Sequence, residues 1–236
     1  MRVYECRGRW RAPSSGAQGG LARSKRAIAA RHSSRQWMRR HLADPFVQRA
    51  RAQGYRSRAA WKLIEIDDRE RLLRAGAVVV DLGAAPGGWS QVAARRVGDR
   101  GKVIAVDVLD MSPPAGVRFV RGSFLDPQVR AAVREAVGGR ADVVLSDMMP
   151  NVSGIAAADQ ARAAELVHAA IAFCEDILAP EGAFLVKVFQ GSEFGGILAA
   201  LRRLFRKVKT CKPAASRAES REVYLLARGL APQRGD

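Results

Sequence analysis

From residue 78 onward the sequence predicts an α/β fold: a doubly wound, Rossmann-like, seven-stranded sheet, mostly parallel, with its last strand antiparallel. Three observations carry that expectation. The β-branched run Val78-Val79-Val80 ends in Asp81-Leu82 and breaks into the turn Gly83-Ala84-Ala85-Pro86-Gly87-Gly88. A helical pattern follows at once, the order of a strand, a ligand-binding loop and a helix N-terminus. Short apolar runs then alternate with amphipathic helical stretches, as in successive βαβ units. At 236 residues and 48% apolar content, the chain has material for one good-sized core plus an extension.

Residues 1–32 read as a disordered basic extension, punctuated by Pro13-Ser14-Ser15-Gly16 and Gly19-Gly20. A helix is expected from Ser33 or Ser34 through Gln36–Leu42, interrupted at Asp44-Pro45, with a second short piece over Phe46–Ala52 that Gly54 ends. Ser57 caps the next helix, on which Ala60, Leu63 and Ile64 share a face. The expected strands are Val78–Leu82, Lys102–Asp107, Val117–Arg121, Asp142–Asp147, Ala183–Phe189, a weak Val208–Lys212, and Glu222–Arg228. Helices fall over Gly88–Val97, Pro127–Val137 behind Asp126 as cap, Asp159–Leu178 closed by Pro180-Glu181-Gly182, and Glu193–Arg206. The main domain is expected over 33–230, with a short flexible tail over 231–236.

Charge is one-sided. Net charge is +17, and residues 1–58 hold 15 Lys/Arg against Glu5 and Asp44. Such asymmetry favours a polyanionic partner. Arg35, Arg39, Arg40, Arg49, Arg51, Arg56 and Arg58 are the candidates to contact RNA phosphates, with Lys207, Lys209, Lys212 and Arg217 extending the surface. Trp37 and Trp61 suit stacking on bases less well than helix-boundary packing. Cys6, Cys174 and Cys211 form no CxxC pair, and His32, His41 and His168 show no ligand spacing, so no metal site is assigned. No run of 18 apolar residues suggests a membrane span. The arginine-rich start suits a mitochondrial transit peptide as well as an RNA-binding tail.

The glycine turn is not GxGxxG, because Ala85 stands where a dinucleotide fold needs glycine beside a pyrophosphate. No Lys-Ser/Thr follows, so it is not a P-loop either. Asp107 lies at the end of the second strand, where an acid accepts ribose hydroxyls. An adenosine ligand without phosphates, S-adenosylmethionine (SAM), fits both features. Ligands of a doubly wound sheet sit at the carboxyl ends of the strands. Asp147 and Lys187 belong to that edge, and Glu222 joins them if the last strand is antiparallel. The short connection over 213–221 suits an antiparallel pair. Lys187 interrupts an apolar strand, Phe184-Leu185-Val186 and Val188-Phe189, where a lysine is seldom structural unless paired.

The chain resembles the FtsJ/RrmJ family of ribose 2′-O-methyltransferases over roughly 33–228. The stretches that carry the resemblance are Tyr55–Leu63, Asp81–Gln91, Ser146-Asp147-Met148-Met149-Pro150-Asn151, Val186–Gly191 and Ser216–Tyr224. The resemblance implies a catalytic tetrad of Lys62, Asp147, Lys187 and Glu222, with Lys187 as base or 2′-oxygen positioner. Without it, Lys62 reads as a solvated helix lysine. It also implies SAM contacts from Gly87, Trp89, Asp107 and Asp147, joined by Gly83 and Gly88 of the loop. Ser123 stands where family members commonly carry an acid that meets the adenine amino group; its hydroxyl accepts one hydrogen bond without charge.

The substrate implied is a uridine in large-subunit rRNA, within the assembled subunit, in the bacterial cytoplasm or else the mitochondrial matrix. The enzyme would act as a monomer, with neither DNA nor a membrane as partner. Relatives with the same tetrad act on tRNA or mRNA caps, and a non-catalytic RNA-binding assembly factor is the rival of a different class.

Overall fold

The computed structural model describes residues 39, 42–150, 153–217 and 220–232. The chain falls into two units, Met1–Asp44 and Pro45–Asp236. In the first unit Arg39, Leu42 and Ala43 are helical. The expected extension over 1–32, Arg35, Trp37 and Arg40 lie outside the described residues, as does the tail beyond Pro232.

In the second unit, short and nearly continuous apolar runs build a seven-stranded sheet. Its strands are β1 Val78–Leu82, β2 Lys102–Asp107, β3 Val117–Arg121, β4 Ala141–Ser146, β5 Leu178–Phe189, β6 Phe205–Cys211 and β7 Glu222–Leu230, in the order β3-β2-β1-β4-β5-β7-β6. The first five strands pair in parallel, while β7 runs antiparallel to both β5 and β6. The start of β7 therefore lies beside the end of β5, with Glu222 opposite Phe189 and Tyr224 opposite Lys187. The chain order reverses at β1, where connections leave toward β2 on one side and β4 on the other. That reversal makes the crevice at the carboxyl ends.

The helices are α1 Pro45–Ala52, α2 Ala59–Glu70, α3 Gly88–Val97, α4 Pro127–Val137, α5 Ala156–Ile177 and α6 Phe194–Leu204. Successive strand residues face opposite sides. Val80, Leu82, Ile104, Val144, Val186 and Val188 pack with α4, α5 and α6 on one face. Val79, Val103, Leu145, Leu185, Tyr224 and Leu226 pack with α2 and α3 on the other. Both faces are covered, as a parallel sheet requires.

Local signals explain the helix ends. Asp126 caps α4, its carboxylate accepting from the Gln128 N–H at 2.8 Å, with Pro127 in the first turn. Gly138 ends that helix at φ +69°.

Several boundaries differ from expectation. Ser57 does not cap α2: the residue before the helix is Arg58, and no side chain bonds the helix start. Instead Ser57 Oγ packs against Gly88, in space a Cβ there would need. The helix α5 starts at Ala156, not Asp159, because Asp159 folds the preceding loop back onto its first turn. Pro180-Glu181-Gly182 lies inside β5 rather than after the helix. Leu178 already pairs with Ala141, and the register slips before Ala183 meets Val143. The edge strand β6 begins at Phe205, taking two residues expected in the helix, because Phe205 pairs with Leu230 and buries its ring.

Candidate active site

Register and periodicity place the reactive side chains. Leu145 faces α2 and α3, so Asp147, two residues on and just past β4, faces the same way. Lys187 pairs directly with Tyr224 across β5 and β7, and Glu222 stands two residues before Tyr224 on the same side. Ser220 Oγ accepts from the Glu222 N–H at 3.2 Å and shapes the entry of the strand. From above, α2 lowers Lys62 onto them. Lys62 shares a helix stripe with Ala59 and the buried Ile66. That i−3, i+4 relation was the available signal that this lysine faces inward.

The four side chains form two ion pairs. Lys62 Nζ meets Glu222 Oε1 at 2.6 Å, an ion pair off ideal hydrogen-bond angles. Lys187 Nζ meets Asp147 Oδ1 at 3.1 Å and donates to the Asp147 carbonyl oxygen at 2.9 Å. Lys62, Glu222 and Lys187 are nearly buried, with side-chain exposures of 12%, 11% and 7%. Buried charges persist only when paired in this way. Burial works against ionisation of Glu222. The hydrogen-bonding and charge of Lys62, with the charge of Lys187, outweigh it and hold the carboxyl below its ordinary range.

Sequence reasoning missed Tyr224. Its hydroxyl donates to Asp147 Oδ1 at 3.0 Å, and its ring lies against Trp89 at 5.6 Å between centroids. Burial, then the charges of Asp147 and Glu222, push this phenol well above its usual pKa, so it stays a donor. Asp147 is thus gripped from two sides.

The glycine loop lies on the same edge. Gly83 at φ +73° lets Met148 pack where a Cβ would intrude, and Gly87 at φ +97° admits Arg56 and Pro114. Gly88 opens α3. Trp89 is buried, and its indole N–H donates to the Ala59 carbonyl at 2.8 Å, tying α3 to α2. Asp107 Oδ2 accepts from the Ala85 N–H and Oδ1 from the Leu109 N–H, each at 2.8 Å. Ser123 Oγ accepts from the Leu125 N–H at 3.3 Å, closing a local turn.

Of the arginines expected on RNA, Arg39 is exposed. Arg56 instead donates from one guanidinium nitrogen to the carbonyls of Pro86 and Ser112, bridging the glycine loop to the segment after β2. Arg58 donates to the Ala215 carbonyl at 2.6 Å. Trp61 is buried beside Ala50 and Ala215, as boundary packing predicts.

A second residue that sequence reasoning passed over is Asp81. It is 1% exposed, accepts from Ser90 Oγ at 2.6 Å, and leaves Oδ1 without a partner. Burial chiefly, offset by the Ser90 hydrogen bond and reinforced by the charges of Asp147 and Asp107, lifts its pKa from 3.8 to about 7. An orphaned acid beneath a glycine turn, with Asp107 and Asp147 on the same sheet edge, suits a ligand that carries positive charge. SAM, with its sulfonium and ammonium, fits that donor set: Asp107 for the ribose, the glycine turn for close approach, and the acids for the charge.

A sequence model of FtsJ-like methyltransferases matches residues 55–230. A protein of Chromobacterium violaceum named ribosomal RNA large subunit methyltransferase E is 51% identical over 210 residues, 89% of this chain and 99% of its own. Its namesake in Chromohalobacter salexigens is 54% identical over 199 residues, 84% of this chain and 95% of its own. Among solved structures, one titled as a ribosomal RNA methyltransferase of Plasmodium falciparum superposes with a TM-score of 0.68 at 30% identity, covering 75% of this chain and 98% of that one. A chain with this sheet order, this loop and these two lysine–carboxylate pairs, matched over most of its length, belongs to the FtsJ-like methyltransferase family.

Proposed function

We propose that this methyltransferase uses SAM to methylate the ribose 2′-oxygen of a uridine in large-subunit rRNA, within the assembled subunit. The pair of buried lysine–carboxylate bridges beside the glycine loop carries the reading. Lys187 donates one N–H to the Asp147 carbonyl and is ion-paired with its carboxylate, which leaves donor capacity for an incoming ribose oxygen. In this role it orients the 2′-oxygen and stabilises the negative charge that develops there as the hydroxyl proton passes to bulk water. Lys62, held by Glu222, anchors the other side of the nucleotide. SAM supplies an electrophilic methyl on a positive sulfur. Gly83, Gly87, Gly88, Trp89, Asp107, Ser123 and Asp147 form its cradle, Trp89 through its backbone. The names of the relatives support rRNA as substrate, and their bacterial sources favour a bacterial cytoplasm over the mitochondrial matrix.

All four reactive side chains come from one chain, which supports action as a monomer. The domain is read as 33–230, behind a basic extension over 1–32. A 2′-hydroxyl substrate excludes DNA. Among the described residues, no helix is long and apolar enough to cross a membrane.

The test is methyl transfer from labelled SAM to unmethylated large subunits, tRNA and capped RNA, with the modified nucleotide mapped. Label confined to a 2′-O-methyluridine of the large-subunit rRNA is the expected result. Label only in tRNA or caps overturns the substrate. Lys187→Ala is expected to abolish transfer while SAM binding persists; normal turnover in that variant overturns the role of Lys187.

A further inference from the structure

Four side chains at the corner of α1, α2 and α3 form a ladder of two aromatic rings with a guanidinium at each end. The Arg49 guanidinium lies 3.8 Å from the centroid of Trp61. Trp61 meets Tyr55 edge to face, with centroids 5.7 Å apart and planes at 74°. The Arg95 guanidinium lies 4.6 Å from the centre of the Tyr55 ring. Trp61 is buried and Tyr55 half-buried, while both arginines are exposed. The aromatic rungs are thus fixed in the fold, and the charged ends face water.

The backbone beneath is equally fixed. Gln91 of α3 accepts from the Arg56 N–H at 3.2 Å and donates to the Gly54 carbonyl at 2.8 Å, clamping the turn that carries Tyr55. The Tyr55 N–H donates to the Ala50 carbonyl at 2.8 Å.

Arg49 and Arg95 have no carboxylate partner among the described residues. The nearby acids Asp67 and Asp68 are taken by Arg96, at 3.3 and 2.5 Å. Neither α1 nor α3 contains an acid. A guanidinium stacked on an aromatic face keeps its planar donors outward and loses little further freedom on binding. Two such groups, neither held by a carboxylate among the described residues and one residue from Lys62 through Trp61, suit a phosphodiester backbone.

We propose that the Arg49–Trp61–Tyr55–Arg95 ladder is a preorganised phosphate clamp that holds the RNA strand beside the active site. It rests on the reading of the protein as an RNA methyltransferase and names the surface that grips the substrate. Its donors are distinct from Arg56 and Arg58, which serve backbone carbonyls of the protein itself.

The test measures binding of the full chain to protein-free large-subunit rRNA across a salt series, alongside methyl transfer to intact subunits. The R49Q/R95Q double variant is expected to bind about tenfold to thirtyfold more weakly. The slope of log affinity against log salt should shrink by about 2, close to one for each phosphate no longer neutralised. SAM affinity should stay that of the wild type. Tyr55→Leu keeps every charge but removes a rung. It should cost about threefold in affinity with the slope unchanged, which a simple loss of charge does not produce. Wild-type affinity and slope in R49Q/R95Q overturn the clamp. So does slowed methyl transfer to intact subunits with unchanged binding to bare rRNA, which would point to an acidic ribosomal protein. Absence of methyl transfer to any RNA by the wild type overturns the parent reading instead, and leaves the binding arm to judge the ladder.

Discussion

Asp81→Asn isolates the electrostatics beneath the glycine loop. In the folded protein the Asp81 carboxyl titrates near 7, against 3.8 when unfolded. A carboxyl raised by folding binds its proton more tightly in the native state. Stability is therefore present below the unfolded value and is lost as pH rises through the folded one. The difference of about three in pKa, at about 1.36 kcal/mol for each, makes the ionised residue cost about 4 kcal/mol above pH 7. Asparagine fills the same space, accepts from Ser90 and never ionises.

The assay is urea unfolding of wild type and variant without SAM from pH 4 to pH 8, taken as a difference so that other groups cancel. The variant should gain relative stability steadily with pH, approaching about 4 kcal/mol near pH 8. SAM binding should show the opposite preference. Wild-type affinity rises as Asp81 ionises, and the variant binds more weakly with a flatter pH profile. A difference curve flat across this range would refute the assignment of a buried, largely unpaired acid.

Tyr224→Phe removes the hydroxyl that holds Asp147 Oδ1. A hydrogen bond to a charged group contributes about 1.5–3 kcal/mol, so kcat should fall at least about tenfold with SAM affinity little changed. Unchanged kcat with an ordered Asp147 would remove Tyr224 from the positioning machinery. Gly83→Ala adds a methyl at φ +73° that meets the Met148 side chain. A loss of about 1–3 kcal/mol in unfolding free energy is expected, with weaker SAM binding. A melting temperature equal to wild type would show that the loop and Met148 move apart freely.

The sheet, the loop and most of the edge were legible in local pattern. The continuous β-branched run over 78–80 and the turn at 83–88 announce a β1–α3 unit, because backbone chemistry there is local. Asp107, Asp147 and Lys187 were legible as strand-end residues, since a doubly wound sheet sends its strand ends to one crevice. Family resemblance added Lys62, whose inward face shows locally only as a stripe with Ala59 and Ile66.

Features that depend on partners far along the chain emerged only on folding. Tyr224 meets Asp147 across 77 positions, and Arg58 reaches Ala215 across 157. No local pattern tells whether an arginine serves RNA or a carbonyl of its own protein. Burial of Asp81 depends on the α3 layer laid over its face of the sheet. The Arg49–Trp61–Tyr55–Arg95 ladder exists only because three helices meet at one corner. Propensity and spacing act over a few residues, whereas burial and charge pairing are settled by whatever the fold brings alongside.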